Sequence, residues 1–131
     1  MKLREKLFFF LLLLIVSIPV FAAKQPLAEK GILDLRGFDG KQDFIVNLNG
    51  EWEFYWKKML HPHDFDGSLK PDYYGKVPSY WTDYRKDIIT ERYGFATYRL
   101  TVLLPQGLNS SVGIDLPVFD SSYDLYINGV S

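Results

Sequence analysis

The clearest strand patterns in the sequence are EWEFYW at residues 51–56 and ATYRLTVLL at residues 96–104. In both, apolar side chains recur at every second position, which is the period of a β-strand with one apolar face. The first stretch places Trp52, Phe54 and Trp56 on one face and Glu51, Glu53 and Tyr55 on the other. The second places Ala96, Tyr98, Leu100, Val102 and Leu104 on its inward face. Each stretch therefore predicts one β-strand.

Two later segments repeat this pattern: VGIDL at residues 112–116 and YDLYI at residues 123–127. No stretch beyond residue 30 sustains helical spacing over several turns. The chain is therefore predicted to be all-β, an antiparallel β-sandwich in which the apolar strand faces meet. The predicted shared core consists of Trp52, Phe54, Tyr98, Leu100, Val102, Ile114, Leu125 and Ile127.

The segments between these strands carry turn and loop signals. Residues 105–107, Pro-Gln-Gly, are predicted to end the second strand, and Asn128 and Gly129 to form a two-residue hairpin turn. One or two helical turns are expected around Pro62. Residues 67–94 contain no clean strand pattern, so a long loop that crosses between the sheets is predicted there.

The N-terminal segment has the pattern of an export signal peptide over residues 1–22. A basic start precedes an apolar run of about 15 residues, which is short for a membrane span of roughly 20, so an uncleaved anchor is the weaker alternative. Cleavage is predicted after Ala22, followed by a linker over residues 23–30. The protein is thus expected in the periplasm or at the outer face of the inner membrane.

Composition narrows the function classes. The chain has no cysteine, which excludes a disulfide framework and a thiolate metal site. Removal of residues 1–22 takes away three basic residues and one acidic residue, so the net charge of the mature chain is -3. A net negative charge does not indicate the basic surface that nucleic-acid binding requires. The density of aromatic residues favours a β-rich core or an aromatic-lined binding face.

A group of potential metal ligands occurs in the segment HPHDFD, which contains His61, His63, Asp64 and Asp66. A solvated turn is the preferred interpretation, because Pro62 restricts how the two histidines converge. The acidic spacing also fails the EF-hand pattern, although calcium in another geometry stays open. Neither a metal nor a cofactor is therefore predicted.

The segment VPSYWTDY indicates a ligand site at Tyr80, Trp81 and Tyr84. Aromatic faces stack on the apolar faces of rings, and neighbouring hydroxyl and carboxylate groups suit a polar ligand. In the alternative interpretation, Trp81 only fills one edge of the sandwich. Glu51 and Glu53 share one strand face and are interpreted as surface residues, so no catalytic residue is predicted and the chain is not expected to be an enzyme.

Four segments in order, LNGEWEFYW, VPSYWTDY, GFATYRLTVLLP and YDLYINGV, resemble two families. One is the N-terminal galactose-binding-like jelly roll of glycoside hydrolase family two. The other, which also shares the lead-in GILDLRGFD, is the periplasmic domain of bacterial seven-transmembrane receptors of the diverse-intracellular-signalling type. The second likeness is the closer one.

The resemblance implies a galactose-binding-like jelly roll over residues 31–131. In such domains further strands follow the Asn-Gly turn, so the domain is expected to lack its last strands here. The implied function is that of an extracytoplasmic ligand-sensing module for a small-molecule or carbohydrate ligand, with membrane and output domains in the full-length receptor. The alternative is the non-catalytic sugar-binding domain of a family-two glycoside hydrolase.

Overall fold

A computed structural model describes residues 25–39, 45–84, 91–108, 111–116 and 121–131, and these residues form a β-rich fold. The strands are β1 (Ile32–Asp34), β2 (Gly50–Trp56), β3 (Tyr73–Val77), β4 (Ala96–Arg99) and β5 (Thr101–Leu103). Two 3-10 helices cover Pro62–Asp64 and Trp81–Asp83. The signal-peptide prediction for residues 1–22, with its cleavage site after Ala22, lies outside the described residues. Among those residues, no helix is long and apolar enough to cross a membrane.

The larger sheet contains three antiparallel strands in the order β3-β2-β4. Phe54 in the central strand lies opposite Tyr73 on one side and Tyr98 on the other. The face predicted for residues 51–56 is confirmed for Phe54 and Trp56, whose rings stack with centroids 6.0 Å apart. The prediction of a single apolar face is wrong, because Tyr55 on the opposite face is also fully buried. Strand β2 is therefore the centre of the sheet.

The smaller sheet pairs β1 with β5 in parallel, with Leu33 opposite Val102. The single strand predicted at residues 96–104 is thus wrong in its extent. It forms two short strands that lie in different sheets, and Leu100 separates them. A period-two pattern continues through such a change of partner, because it reports side-chain orientation and not pairing. This explains why the sequence pattern missed the break.

One core cluster lies around Leu33, which is fully buried. Ala28 and Leu35 are also buried there, although Ala28 belongs to the segment predicted as a linker. Half-buried residues pack against this cluster: Phe38, Val46, Leu48, Trp52, Leu100 and Val102. The predicted core residues Trp52, Leu100 and Val102 therefore pack against this core cluster. The period-two pattern did not predict its central residue, Leu33.

Gly50 explains how the N-terminal segment reaches this core. Its backbone has a φ of 126°, and a Cβ at this position would collide with the backbone of Ala28. Ala28 accepts a hydrogen bond from the amide of Glu51 at 2.8 Å and donates one to the carbonyl of Asn49 at 2.8 Å. The close approach of two backbones is possible because residue 50 has no side chain.

Strand β3 corrects the prediction of a loop over residues 67–94. The sequence YYGKV has no clear alternation, and its glycine is typical of a turn. Gly75 is buried, however, and a Cβ there would collide with the ring of Tyr84. The glycine therefore provides space for an aromatic ring that lies across the strand, an arrangement that stabilises strand glycines.

The C-terminal part of the chain differs most from the expectation. Residues 111–116 and 121–131 contain no strand, and the predicted core residues Ile114, Leu125 and Ile127 are 46%, 39% and 46% exposed. Those three core predictions and the two strand predictions are wrong. Within the described residues, Ile127 pairs only with Val130, so these segments have no neighbouring strand to cover their apolar side chains.

Two local predictions are confirmed. A 3-10 helix begins at Pro62, as the sequence around that proline indicated. Asn128 and Gly129 both have positive φ, 51° and 85°, and the turn is closed by two hydrogen bonds between Ile127 and Val130. These are the conformations that a two-residue hairpin turn of type I′ requires.

Candidate functional site

Six rings form what we call the aromatic face of the larger sheet: Phe54, Trp56, Tyr73, Trp81, Tyr84 and Tyr98. Phe54 lies at its centre, fully buried, with ring centroids at 5.2 Å from Tyr84 and 5.0 Å from Tyr98. Trp56 and Trp81 are 5.4 Å apart at the other end. Edge-to-face pairs at such distances add roughly 0.5–1.5 kcal/mol each beyond the burial of area.

The short helix Trp81–Asp83 brings two of the predicted site residues to this face. Residues three apart lie one above the other on a 3-10 helix, so Trp81 and the following Tyr84 point in the same direction. Backbone hydrogen bonds from Asp83 to Tyr80 and from Tyr84 to Trp81, at 3.0 and 3.1 Å, hold the turn. Trp81 and Tyr84 are both half-buried as a result.

Tyr84 uses its hydroxyl group within the protein. It donates a hydrogen bond to the carbonyl of Lys76 at 3.1 Å, and it lies 3.3 Å from the hydroxyl of Tyr98. Burial raises the pKa of Tyr84 and, together with the hydrogen bond between the hydroxyls, that of Tyr98. Both phenols are therefore neutral hydrogen-bonding groups at physiological pH.

Trp81 lies at the margin of the aromatic face, beside an ion pair. Its indole nitrogen donates to the carbonyl of Glu91 at 3.2 Å, and the Glu91 carboxylate pairs with Lys57 at 2.8 Å. The Lys57 ammonium is 5.9 Å from the centre of the Trp56 ring. Both charged side chains are about half exposed, so they offer one donor and one acceptor beside an accessible indole.

Tyr80 is 80% exposed. The Ser79 hydroxyl lies 3.5 Å from the Asp83 carboxylate on the same turn, and both residues are exposed. The structure thus brings Trp81 and Tyr84 together on the sheet and leaves Tyr80 at the surface. Ligand contact by these three residues stays a prediction.

The opposite face of the sheet contains the acidic residues that were interpreted as surface groups. Glu51 is exposed, whereas Glu53 is half-buried and accepts hydrogen bonds from Tyr55 at 2.9 Å and Arg99 at 3.2 Å. Burial, with the bond to Glu53 second, raises the pKa of the Tyr55 phenol to about 12. Arg99 also lies 4.8 Å from the centre of the Phe65 ring. Glu53 is therefore engaged in packing a second face of the sheet.

The potential ligands of the HPHDFD segment contact one another or the adjoining Ser68. The rings of His61 and His63 stack at 5.7 Å, and Asp64 accepts a hydrogen bond from the His61 amide at 2.7 Å. Asp66 accepts two hydrogen bonds from Ser68. The described residues include no group of three or more His, Cys, Asp or Glu side chains that could hold a metal ion.

A separate open depression lies beside β1. Its volume is about 380 Å³, and it is lined by Leu27, Glu29, Ile32 and Asp34. Arg36 donates two side-chain hydrogen bonds to the Asp34 carboxylate, which lowers the pKa of that group to about 2. Part of the acidic lining is therefore already neutralised within the chain.

Sequence reasoning missed Lys57 and Glu91 as neighbours of Trp81. These residues are 34 positions apart, and no local pattern joins them. At the end of β2, Lys57 has a positive φ of 52°, and its amide donates a hydrogen bond to the carbonyl of Phe95 at 2.9 Å. Both features direct the chain toward residues 91–95. Only the pairing of β2 with β4 brings these groups together.

Comparisons of the chain with protein-family models, with curated proteins and with solved structures find no match.

Proposed function

We propose that this chain is a non-catalytic, extracytoplasmic ligand-sensing module of a membrane signalling receptor. The ligand is a small polar molecule or a carbohydrate, and it contacts the surface formed by Tyr80 and Trp81 beside the Lys57–Glu91 ion pair. Tyr84 positions Trp81 from the sheet side. The proposal extends the resemblance of the sequence segments to receptor periplasmic domains.

The observation that carries this proposal is the chemistry around Trp81. The Trp81 indole and the exposed Tyr80 phenol are adjacent on one turn. The oppositely charged Lys57 and Glu91 form an ion pair, and the Glu91 carbonyl accepts the hydrogen bond of the indole. Binding sites for polar rings combine an aromatic surface with a few convergent donors and acceptors. The rigid aromatic face beneath Trp81 lowers the entropic cost of holding such a surface in place.

For the fold, we propose a galactose-binding-like jelly roll. The support is the order of the four sequence segments together with the two sheets that the described residues form.

The experiment is a binding measurement with a panel of monosaccharides and disaccharides, followed by calorimetry with any sugar that binds. Tyr80→Ala is the informative variant, because an 80% exposed side chain can be removed with little effect on folding. Loss of one stacked ring is worth roughly 1 kcal/mol, or about fivefold in affinity. Tyr93→Ala, at a residue that is 86% exposed, is the matched control.

An affinity left unchanged by Tyr80→Ala would place the ligand elsewhere, and an equal loss in Tyr93→Ala would show that the effect is not specific to the Tyr80 ring. A panel with no binding sugar, repeated with small polar metabolites and again without binding, would count against a sensing role. Turnover of a bound glycoside by the purified chain would contradict the non-catalytic assignment.

A further inference from the structure

Lys57 has the most unusual backbone conformation in the candidate site. Its φ of 52° lies in the left-handed region, which is unfavourable for a residue with a Cβ. Two other described residues besides glycine have positive φ, and each precedes a glycine in a two-residue turn: Lys30 before Gly31 and Asn128 before Gly129. Lys57 instead directly follows the end of β2 and precedes no glycine. A two-residue turn therefore does not account for its conformation.

The backbone contact of Lys57 makes no use of its side chain. The amide donates a hydrogen bond to the carbonyl of Phe95 at 2.9 Å, and a glycine could donate the same bond without the steric cost. The ion pair with Glu91 joins side chains that are 48% and 55% exposed, and pairs so exposed add little to stability. Backbone strain that stability does not require points to a function of the side chain.

The Lys57 ammonium lies close enough to Trp81 to meet a ligand that stacks there. Glu91 contacts both residues, because its carbonyl accepts a hydrogen bond from the Trp81 indole at 3.2 Å and its carboxylate accepts one from Lys57 at 2.8 Å. The Trp56 ring is a second common neighbour, 5.4 Å from the Trp81 ring and 5.9 Å from the ammonium. An ammonium group has three donors, and among the described residues only Glu91 accepts a hydrogen bond from it. Two donors are therefore available to a ligand.

We propose that Lys57 binds a carboxylate of the ligand, so that the sensed molecule is a sugar acid or a similar ring with one carboxylate. This inference rests on the proposed function, since it requires a ring that contacts Tyr80 and Trp81. Hydrogen bonds between an ammonium and a carboxylate are stronger than those to a neutral hydroxyl. The strained backbone belongs to the cation, whereas Glu91 has no positive φ. Glu91 holds the ammonium beside Trp81 and competes with the ligand for it.

Calorimetry with matched sugars tests the ligand class on the purified chain. The probes are glucuronate and galacturonate, each compared with its neutral hexose and with the corresponding amino sugar at neutral pH. We expect the acid to bind about tenfold or more tightly than the neutral sugar, and the amino sugar to bind most weakly. Glu91→Gln should strengthen binding of the acid about threefold, because it removes a carboxylate that repels the ligand and competes for the ammonium.

Variants of Lys57 test whether it carries the preference for the acid. Lys57→Gly should weaken binding of the acid about tenfold or more, whereas Lys57→Arg keeps the positive charge and should preserve the preference. Lys30→Gly is the matched control, because it also replaces an exposed lysine of positive φ by glycine. Lys30 lies beside the start of β2, where its amide bonds the Glu51 carboxylate at 3.1 Å, so this variant should leave binding unchanged.

Thermal unfolding without ligand tests the strain at Lys57. Lys57→Ala and Lys57→Gly both remove the ammonium group and its ion pair, but only glycine adopts the left-handed conformation without a Cβ clash. The midpoint of unfolding should therefore be higher for Lys57→Gly than for Lys57→Ala. Equal midpoints, or a lower one for Lys57→Gly, would show that the lysine is not strained and would overturn the proposal.

The outcomes separate this inference from the function on which it rests. Equal binding of acid and neutral sugar, with a loss in Tyr80→Ala, would overturn the inference and leave the sensing role standing. A preference for the amino sugar, or an acid preference that survives in Lys57→Gly, would also overturn it. Binding of none of these sugars would overturn it as well, and small polar metabolites would then test the sensing role separately. Circular dichroism checks the fold of each variant, and Lys57→Gln removes the charge if Lys57→Gly does not fold.

Discussion

The segments EWEFYW at residues 51–56 and YDLYI at residues 123–127 carry the same alternation of apolar and polar residues, but the structure uses them differently. Phe54 is fully buried and has a paired strand on each side. Leu125 is 39% exposed, and the described backbone pairing near it is confined to the turn after Ile127. Alternation thus records which side of an extended chain is apolar, whereas burial depends on what lies next to it.

The neighbours that cover Phe54 come from distant parts of the chain. Tyr73 and Tyr98 lie opposite it in the sheet, and Tyr84 covers it from the turn after the second 3-10 helix. These rings also contact one another, since Tyr84 packs against Tyr73 and its hydroxyl lies 3.3 Å from that of Tyr98. The larger sheet is therefore specified by a set of mutually supporting aromatic residues. If the neighbours of a side chain determine its contribution to stability, substitutions at covered and uncovered positions should differ in cost.

The largest difference is expected from truncation at the two matched positions. Phe54→Ala should lower the free energy of unfolding by about 3–5 kcal/mol, because it removes a fully buried ring and leaves a cavity among its neighbours. Leu125→Ala should cost less than about 1 kcal/mol, since the side chain is already partly in solvent. Urea unfolding followed by fluorescence measures both.

Should Phe54→Ala fail to fold, Phe54→Leu gives a smaller loss of the same sign and preserves the comparison. Similar losses at the two positions would mean that Leu125 is covered in solution.

A second comparison uses two glycines. Gly75→Ala should destabilise the protein by about 1–3 kcal/mol, because the new methyl group meets the ring of Tyr84 and forces it from the sheet. Gly113→Ala should be close to neutral, since nothing lies within 4 Å of a Cβ at that position. Thermal unfolding of both variants measures the difference. A neutral Gly75→Ala would show that Tyr84 does not lie across β3.

The sequence was informative where a pattern is local. The strand face of Trp52, Phe54 and Trp56 follows from period two alone, and the Asn128–Gly129 turn follows from the low cost of positive φ at these residues. The 3-10 helix at Pro62 likewise depends on neighbouring residues. In each case the determining interactions span a few positions, which is the range that a single sequence reveals.

The remainder depends on contacts between distant residues. Gly75 is typical of a turn until Tyr84 is seen to need its space, and nothing local indicates that the partner of the strand changes at Leu100. The candidate site shows the same limit. The aromatic composition around Trp81 was apparent in the sequence, whereas its neighbours Lys57 and Glu91 come together only through the pairing of β2 with β4.

A pH titration sharpens the contrast between buried and exposed tyrosines. Burial raises the folded-state pKa of Tyr84 and Tyr98 above the usual value near 10. The resulting contribution to stability is fully present below about pH 10 and is lost as the pH rises above it, because the unfolded chain then releases protons that the folded protein retains. The slope is about 1.4 kcal/mol per pH unit for each such tyrosine.

Tyr98→Phe should therefore remove the contribution of one tyrosine to this alkaline slope. Near neutral pH it should lower the free energy of unfolding by about 1 kcal/mol, because the hydrogen bond to Tyr84 is lost. Tyr80→Phe, at an exposed residue, serves as the control and should change neither quantity. Urea unfolding at a series of pH values measures both effects. An unchanged alkaline slope in Tyr98→Phe would indicate that its hydroxyl is hydrated.

The smallest expected effect concerns Asp72, which satisfies the backbone where β2 ends and lies directly before β3. Its carboxylate accepts a hydrogen bond from the Trp56 amide at 2.9 Å and pairs with Lys58 at 2.7 Å. Asp72→Ala should cost about 1 kcal/mol, because the amide loses its acceptor. Asp72→Asn keeps an acceptor and removes only a partly exposed ion pair, so it should cost less than about 1 kcal/mol, and added salt should reduce that cost. Asp124→Asn is the matched control in the exposed segment, with no expected change in monomer stability. An equal cost for Asp72→Ala and Asp72→Asn would show that the charge, and not the hydrogen bond to Trp56, is what stabilises the end of β2.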